Sequence, residues 1–126
     1  MRELKVRAWY KPYKQMCNVS MLQFDYDGTI CAAVIIEKPF NDQRLAKIDD
    51  LIIEQDTGLK DRNGTKINEG DVLVDDAGEP IEYWTVKLSE GAFVGECAGV
   101  TEALFELTQL EVAGNIHENS ELVEEK

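Results

Sequence analysis

The chain of 126 residues has few of the side chains that metal and redox sites use. It has one histidine, His117, and three cysteines, Cys17, Cys31 and Cys97, with no pair at C-x-x-C spacing. Neither a zinc knuckle nor a redox-active pair is indicated by this spacing. We therefore expect free, buried thiols in a reducing cytosol, with no metal and no other cofactor.

Long apolar segments are also missing. The longest run, from Ile30 to Ile36, is far too short to cross a bilayer. The first residues are charged, so they do not form the apolar centre of a signal peptide. These features predict a cytoplasmic protein without a membrane partner.

Positive charge is scarce, since 13 basic residues stand against 25 acidic ones and the formal net charge is −12. The opening of the chain is the exception, with Glu3 as its one acid among the first fourteen residues. Its basic residues are Arg2, Lys5, Arg7, Lys11 and Lys14. An acidic surface repels phosphate backbones, so direct binding to duplex nucleic acid is not expected. The basic opening can instead contact an acidic protein surface, including that of a second copy.

Apolar and polar residues alternate along residues 4–10, which predicts a β-strand. Further short strands with turn signals between them follow from about residue 50 and predict a small barrel or sandwich. We expect a mainly β fold with minor helical content, divided into a strand-rich subdomain over 1–50 and a small barrel over 51–126. Residues 39–44 are predicted as a polar loop, and residues 46–53 suit either a short helix or a strand.

The clearest hairpin signal lies at Asp61-Arg62-Asn63-Gly64, because Asn-Gly fits a type I′ turn. Asp61 and Asn63 can bond the backbone of the turn itself. Glycine permits backbone conformations that other residues resist, and three glycines punctuate this region. They are Gly58, Gly64 and Gly70. We interpret the three glycines, with Asp61 and Asn63, as residues of a structural turn. A ligand-binding loop is the alternative.

The same segment resembles a known family. Residues 57–64, Thr-Gly-Leu-Lys-Asp-Arg-Asn-Gly, followed by Ile67 and by Glu-Gly-Asp-Val at 69–72, are similar to the signature of the YopX family. Residues 2–9 resemble the opening of the family's proteins, and residues 112–119 with Glu121 and Leu122 resemble their end. Tyr10, Asn68 and Ser120 depart from the family, which commonly has an acidic residue, an aromatic residue and a proline there.

YopX proteins are short proteins carried by phages and prophages of mainly Gram-positive bacteria. The resemblance therefore implies a cytoplasmic location in a bacterial host cell. It implies an SH3-like barrel in the C-terminal part, behind an N-terminal β-rich part. It implies no enzymatic activity.

A second local similarity belongs to a different class of protein. Residues 21–30 resemble the first motif of the haloacid-dehalogenase phosphatases, in which Asp25 would be the nucleophile and Asp27 the general acid, with bound Mg²⁺. That fold needs a doubly wound α/β core, and the β-branched run after Thr29 does not predict the helix that would follow. We expect a β-hairpin at Asp27-Gly28 and no enzyme, with a small phosphatase as the alternative.

Together these patterns predict a phage or prophage accessory protein that works by binding a protein partner or a second copy. Arg7, Trp9 and Tyr10 are the predicted interaction surface, because one strand joins positive charge to two aromatic rings. Aromatic residues on strands also serve as core, which is the alternative for these rings. A different binding hypothesis is an acidic DNA mimic that occupies a host nucleic-acid-binding protein.

Overall fold

The computed structural model describes residues 5–123; residues 1–4 and 124–126, including Arg2 of the basic opening, lie outside the described part. The chain forms two compact units that divide between Gln55 and Asp56. The prediction of a mainly β fold is confirmed, because the described residues form eleven strands and four short 3₁₀ helices. No helix among residues 5–123 is long and apolar enough to cross a membrane.

The first unit is one antiparallel sheet with the strand order β4-β3-β2-β1-β5. Its strands are β1 (Val6–Tyr10), β2 (Gln15–Phe24), β3 (Ile30–Glu37), β4 (Asp42–Lys47) and the first half of β5 (Leu51–Lys60). The chain divides within β5, so this strand contributes to both units. Short 3₁₀ helices at Lys11–Tyr13 and Ile48–Asp50 connect strands.

Alternate residues of these strands pack into one core. The core consists of Ala8, Tyr10, Cys17, Val19, Ala33, Ile35, Ala46 and Leu51. A register shift between Val19 and Met21 changes which residues of β2 face inward, so Leu22 packs against this core. The predicted polar loop over 39–44 is partly wrong, because β4 begins at Asp42 and pairs with β3. For residues 46–53 both alternatives occur, as a 3₁₀ turn followed by β5.

The second unit contains a five-stranded antiparallel sheet with the order β10-β9-β8-β7-β11. Its strands are β7 (Asp71–Asp75), β8 (Glu82–Ser89), β9 (Ala92–Cys97), β10 (Val100–Ala103) and β11 (Glu111–Asn115). The short β6 (Lys66–Asn68) pairs with the second half of β5. Further 3₁₀ helices lie at Leu104–Leu107 and Ser120–Leu122. β10 and β11 end the sheet, so the described strands form two antiparallel sheets and no closed barrel.

The core of the second unit gathers residues from one face of its sheet, from β6 and from the 3₁₀ helix before β11. Its members are Ile67, Leu73, Trp84, Val86, Leu104, Leu107 and Leu110. Burial differs among the cysteines, which are all free. Cys17 is buried as expected, whereas Cys31 and Cys97 are only half-buried, so the expectation of three buried thiols is wrong for two of them.

Candidate interaction surface

Asp61 closes the hairpin between β5 and β6, which carries the family-like segment. Its backbone N–H donates to the carbonyl of Thr65 (2.9 Å), and its carbonyl accepts from the N–H of Gly64 (3.0 Å). Gly64 has a φ of +82°, but Asn63 is not among the residues with positive φ. A type I′ turn needs positive φ at both central residues, so that prediction is wrong. The loop has one left-handed residue, as three-residue hairpin loops do.

Because Gly64 occupies the left-handed region with open space around its α-carbon, a side chain there is opposed only by backbone strain. We expect Gly64→Val to lower the free energy of unfolding by about 1–2 kcal/mol, since left-handed backbone is costly for residues with a β-carbon. Thermal and urea unfolding measure the effect. The control is Gly78→Val, because Gly78 has equally open surroundings and no positive φ. Equal unfolding midpoints for the two variants would contradict the assigned turn.

The hairpin between β2 and β3 has the same geometry. The N–H of Asp25 donates to the carbonyl of Thr29 (2.8 Å), the N–H of Gly28 donates to that of Asp25 (2.9 Å), and Gly28 has a φ of +86°. The Asp27 carboxylate accepts the Thr29 N–H (3.0 Å), and this bond lowers the pKa of Asp27. The predicted β-hairpin is confirmed. Asp25 and Asp27 thus lie in a turn between antiparallel strands and not between a strand and a helix.

The side chain of Asp61 is 7% exposed and connects the signature hairpin, residues 57–72, to β11. Its Oδ1 accepts the N–H groups of Asn63 (2.8 Å) and Thr65 (2.9 Å), and its Oδ2 accepts the N–H of Val112 (2.9 Å). Burial raises the pKa of Asp61, but the N–H groups of Val112, Thr65 and Asn63 outweigh burial and hold the pKa below its ordinary value. One carboxylate therefore joins two segments that are distant in sequence.

A second set of contacts follows the same path. The backbone N–H of Arg62 donates to the carbonyl of Leu110 (3.2 Å), and the Arg62 guanidinium lies 3.1 Å from the Glu111 carboxylate. The side-chain amide of Asn63 donates to the same carboxylate (2.9 Å), and this bond, with the charge of Arg62, lowers the pKa of Glu111. The polar side chains of the hairpin loop thus bind partners within their own unit.

Gly70 holds the end of the signature hairpin to its neighbours through both of its backbone groups. Its N–H donates to the carbonyl of Val86 and its carbonyl accepts from the N–H of Ile116, each at 2.9 Å. Its φ is +86°. Gly58 also has a positive φ, of +84°, and its N–H is accepted by the Asp56 carboxylate (2.8 Å). Gly64 and Gly70 therefore lie in turns, whereas Gly58 lies within β5 where its pairing with β6 is irregular.

Asn115 organises the segment after β11, a role that the sequence did not reveal. Its side-chain oxygen accepts the N–H groups of His117 (3.0 Å) and Glu118 (2.9 Å), and its amide donates to the Glu118 carboxylate (2.8 Å). The side chain of Asn119 accepts the Asn115 N–H (3.2 Å) and fills the space where a β-carbon at Gly114 would lie. Gly-Asn after an apolar strand was the signal that could have indicated this turn.

The predicted surface of Arg7, Trp9 and Tyr10 is not assembled on one exposed face. Tyr10 is only 7% exposed and belongs to the first core, because the even-numbered residues of β1 face inward. Trp9 is half-buried. The Arg7 guanidinium is 3.0 Å from the buried carboxylate of Glu54, so its charge is compensated within the unit.

Large apolar side chains are exposed mainly on the first unit. Those of the first unit are Tyr13, Met21, Phe24, Tyr26, Phe40, Leu45 and Ile52, and those of the second are Ile81, Leu88, Val100 and Phe105. Formal charge is divided in the opposite way. Residues 1–55 have eight basic and eight acidic residues, whereas residues 56–126 have five basic and seventeen acidic residues. The first unit is therefore neutral and apolar-rich at its surface, and the second carries the whole net charge.

Two of these exposed side chains, Met21 and Leu45, form a continuous row with the half-buried Val34 across β2, β3 and β4. Met21 is paired with Val34, and Val34 is paired with Leu45. Because neighbouring residues of a strand face opposite ways, this row lies on the side of the sheet away from the core residues Ala33 and Ala46. Met21 is 50% exposed and Leu45 is 62% exposed. We call Met21, Val34 and Leu45 the outer row.

An open depression of about 360 Å³ lies beside β8 in the second unit. Tyr83, Cys97 and two acids, Glu82 and Glu96, contribute to its lining. Burial and the nearby Glu82 raise the pKa of the Cys97 thiol, which therefore stays protonated at neutral pH. No group of three or more His, Cys, Asp or Glu side chains within residues 5–123 is arranged to hold a metal ion.

Comparison with known proteins agrees with this fold. The family model described as "YopX protein" matches residues 5–124. The crystal structure of protein EF1440 from Enterococcus faecalis is 28% identical, with a TM-score of 0.70, over 97% of this chain and 100% of that one. Protein yopX from Bacillus subtilis is 20% identical, with a TM-score of 0.63, over 95% and 98% of the two chains, and this likeness shows the fold alone. No curated protein matches this chain.

Proposed function

The chain belongs to the YopX family, and on that premise we propose that it is a phage or prophage accessory protein that works by binding a protein partner in the bacterial cytoplasm. The first unit makes the contact. The second unit supplies an acidic scaffold, which in this proposal is an open form of the SH3-like barrel expected for the family.

The outer row is the observation that supports the proposal. Fully burying a leucine or methionine side chain contributes about 1.5–3 kcal/mol relative to leaving it exposed, and Met21 and Leu45 are half or more exposed. Contiguous apolar patches on a protein surface mark sites of interaction. The first unit also has no net charge, so a partner does not meet long-range repulsion there.

We propose no enzymatic activity. Asp25 and Asp27 are the carboxylates with the best local resemblance to a catalytic motif, and the backbone bonds of a tight hairpin fix their positions. The thiol of Cys97 is held in its protonated form, which is the poor nucleophile of the two protonation states.

A second candidate function is an acidic DNA mimic, which occupies the nucleic-acid-binding surface of a host protein. The specific observation that favours it is the concentration of the net charge of −12 in residues 56–126. A mimic of this kind acts through the second unit, and salt weakens its binding because the contact is electrostatic.

Capture of proteins from a bacterial host lysate by the full chain tests these proposals. We expect a partner whose capture falls about tenfold or more when both Met21 and Leu45 are replaced by serine, since the apolar contact is lost. The matched control replaces Leu88 and Phe105, two exposed apolar residues of the second unit, and retains the partner. A captured protein that duplex DNA displaces, and that both variants retain, would support the DNA mimic instead. Capture of nothing would reject a host protein as the partner in both proposals.

A further inference from the structure

β4 is an open edge of the first sheet. It is the terminal strand of the order β4-β3-β2-β1-β5, and four of its six residues, Asp42, Gln43, Leu45 and Lys47, are exposed. An edge strand presents unpaired N–H and C=O groups, which another strand can bind.

The terminal strands of the second sheet are less suited to pairing with another strand. β10 has only four residues and lies in the acidic unit. β11 already has the signature hairpin beside it, because Asp61 accepts the N–H of Val112 and Arg62 donates to the carbonyl of Leu110. The longest open edge among these three strands is therefore β4, in the unit without net charge.

We propose that β4 pairs antiparallel with β4 of a second copy across a twofold axis at Leu45. The inference rests on the proposed function, because it uses the same outer row and names a second copy of the chain as the protein that binds there. The axis is perpendicular to the sheet, so each face of one sheet continues into the same face of the other. In each possible register, one residue of β4 then lies at the axis, directly opposite the same residue of the second copy. We name each register by this central residue.

Three of the six registers are unfavourable because they bring like charges face to face. They are centred on Asp42, on Arg44 and on Lys47. Directly opposed like charges destabilise a pair of strands. A sheet edge with three charged residues among six thus excludes half of its own pairings.

The remaining registers differ in what they place opposite Leu45. Centring the pair on Gln43 places Asp42 opposite Arg44, which is favourable, but sets the exposed Leu45 against Asn41. Centring it on Ala46 sets Leu45 against Lys47. Centring it on Leu45 itself joins two exposed leucines. In that register Arg44 faces Ala46 and Lys47 faces Gln43, so no charged residue meets a like charge.

The pairing at Leu45 makes the outer row continuous across the two copies. Met21, Val34 and Leu45 of one copy run directly into Leu45, Val34 and Met21 of the other. Main-chain hydrogen bonds along β4 supply the affinity, as in other cases where a strand is added to a sheet edge, and the apolar row supplies the register. The arrangement is isologous, unlike the head-to-tail contact that the basic opening suggests.

Sedimentation of the full chain over a range of concentration tests the pairing. We expect a monomer–dimer equilibrium whose dissociation constant rises about tenfold or more in Leu45→Lys, because two ammonium groups then lie opposite each other. Val100→Lys places the same charge on the edge strand β10 and leaves the equilibrium unchanged. Salt should strengthen the dimer, since it screens the repulsion between two chains of net charge −12.

Disulfide cross-linking tests the register. In a chain with Cys31 and Cys97 replaced by serine, Leu45→Cys sets two thiols opposite each other and should cross-link on mild oxidation. Gln43→Cys should not, because each Gln43 faces Lys47. A monomer at all concentrations, a dimer insensitive to Leu45→Lys, or cross-linking of Gln43→Cys would overturn the inference. A monomer that still captures a host protein through the outer row would leave the proposed function intact.

Discussion

Replacing Asp61 with alanine is expected to lower the free energy of unfolding by about 3 kcal/mol or more, the largest effect of any substitution considered. Three backbone N–H groups, those of Asn63, Thr65 and Val112, lose their acceptor in a site that is 7% exposed. A buried donor left without a partner costs about 1–3 kcal/mol. Urea unfolding of the full chain at neutral pH measures the loss.

Asp25→Ala is the matched control for this prediction. Asp25 has the same place in the β2–β3 turn that Asp61 has in the β5–β6 turn, but it is exposed. We expect an effect within about 0.5 kcal/mol, as for other surface substitutions. Equal losses for the two alanine variants would show that the turn position matters and the buried carboxylate does not.

The same carboxylate makes stability depend on pH. The pKa of Asp61 is lower in the folded chain than its unfolded value of about 3.9. The reason is that hydrogen bonds in the folded state stabilise the ionised carboxylate more than the protonated carboxyl group. Its contribution is therefore present above about pH 4 and is lost as the pH falls through the folded pKa. Asp61→Asn should be less stable at neutral pH and should lose less of its remaining stability on acidification. An identical acid profile in the two proteins would contradict this assignment.

Asn115→Ala is expected to lower the free energy of unfolding by about 2 kcal/mol or more. The N–H groups of His117 and Glu118 share the Asn115 side-chain oxygen as acceptor, and Asn115 is buried. Alanine leaves both donors without that acceptor, each at a cost of about 1–3 kcal/mol where water cannot reach it. Urea unfolding again gives the value.

Asn63→Ala separates this effect from a general cost of losing an asparagine. The Asn63 amide donates to Glu111, which is half-buried, while Asn63 itself is exposed. We expect a change within about 0.5 kcal/mol. If Asn63→Ala were the more damaging of the two, the turn after β11 would not be organised by Asn115.

Local pattern was sufficient to predict elements whose structure depends on near neighbours. The alternation in β1 and the β-branched run of β3 both gave strands, and Asp27-Gly28 gave a hairpin. In each case the residues that decide the conformation lie within a few positions of one another. Gly64 was likewise predicted to have a positive φ, and its φ is +82°.

Sequence pattern gave incomplete predictions where contact with a residue distant in sequence decides the structure. β4 is a strand because its residues pair with β3, and the polar start of this segment has no alternation that indicates a strand. The position of Arg7 depends on Glu54, 47 residues further along. Tyr10 entered the core because the neutral face of β1 turns inward, so an aromatic ring that suggested a binding surface serves packing instead.

The polar contacts of the signature hairpin depend on long-range contact in the same way. The residues at 57–72 and at 112–119 were recognisable separately, but the bond from Val112 to Asp61 joins positions 51 residues apart. Only the folded chain shows that these two segments hold each other. Polar side chains of these segments, those of Asp61, Arg62 and Asn63, are then bonded within the second unit, and the proposed function assigns partner binding to the exposed apolar surface of the first unit.

Hydrogen exchange of backbone amides tests most directly the claim that the first unit binds and the signature hairpin stabilises the fold. The full chain is measured at low and high concentration, and again with any protein captured from the host lysate. We predict that amides of β4 and of the neighbouring β2–β3 hairpin exchange more slowly as the bound fraction rises, while those of residues 57–72 are unchanged. Protection that appears in residues 57–72 and is absent from β4 would contradict the account.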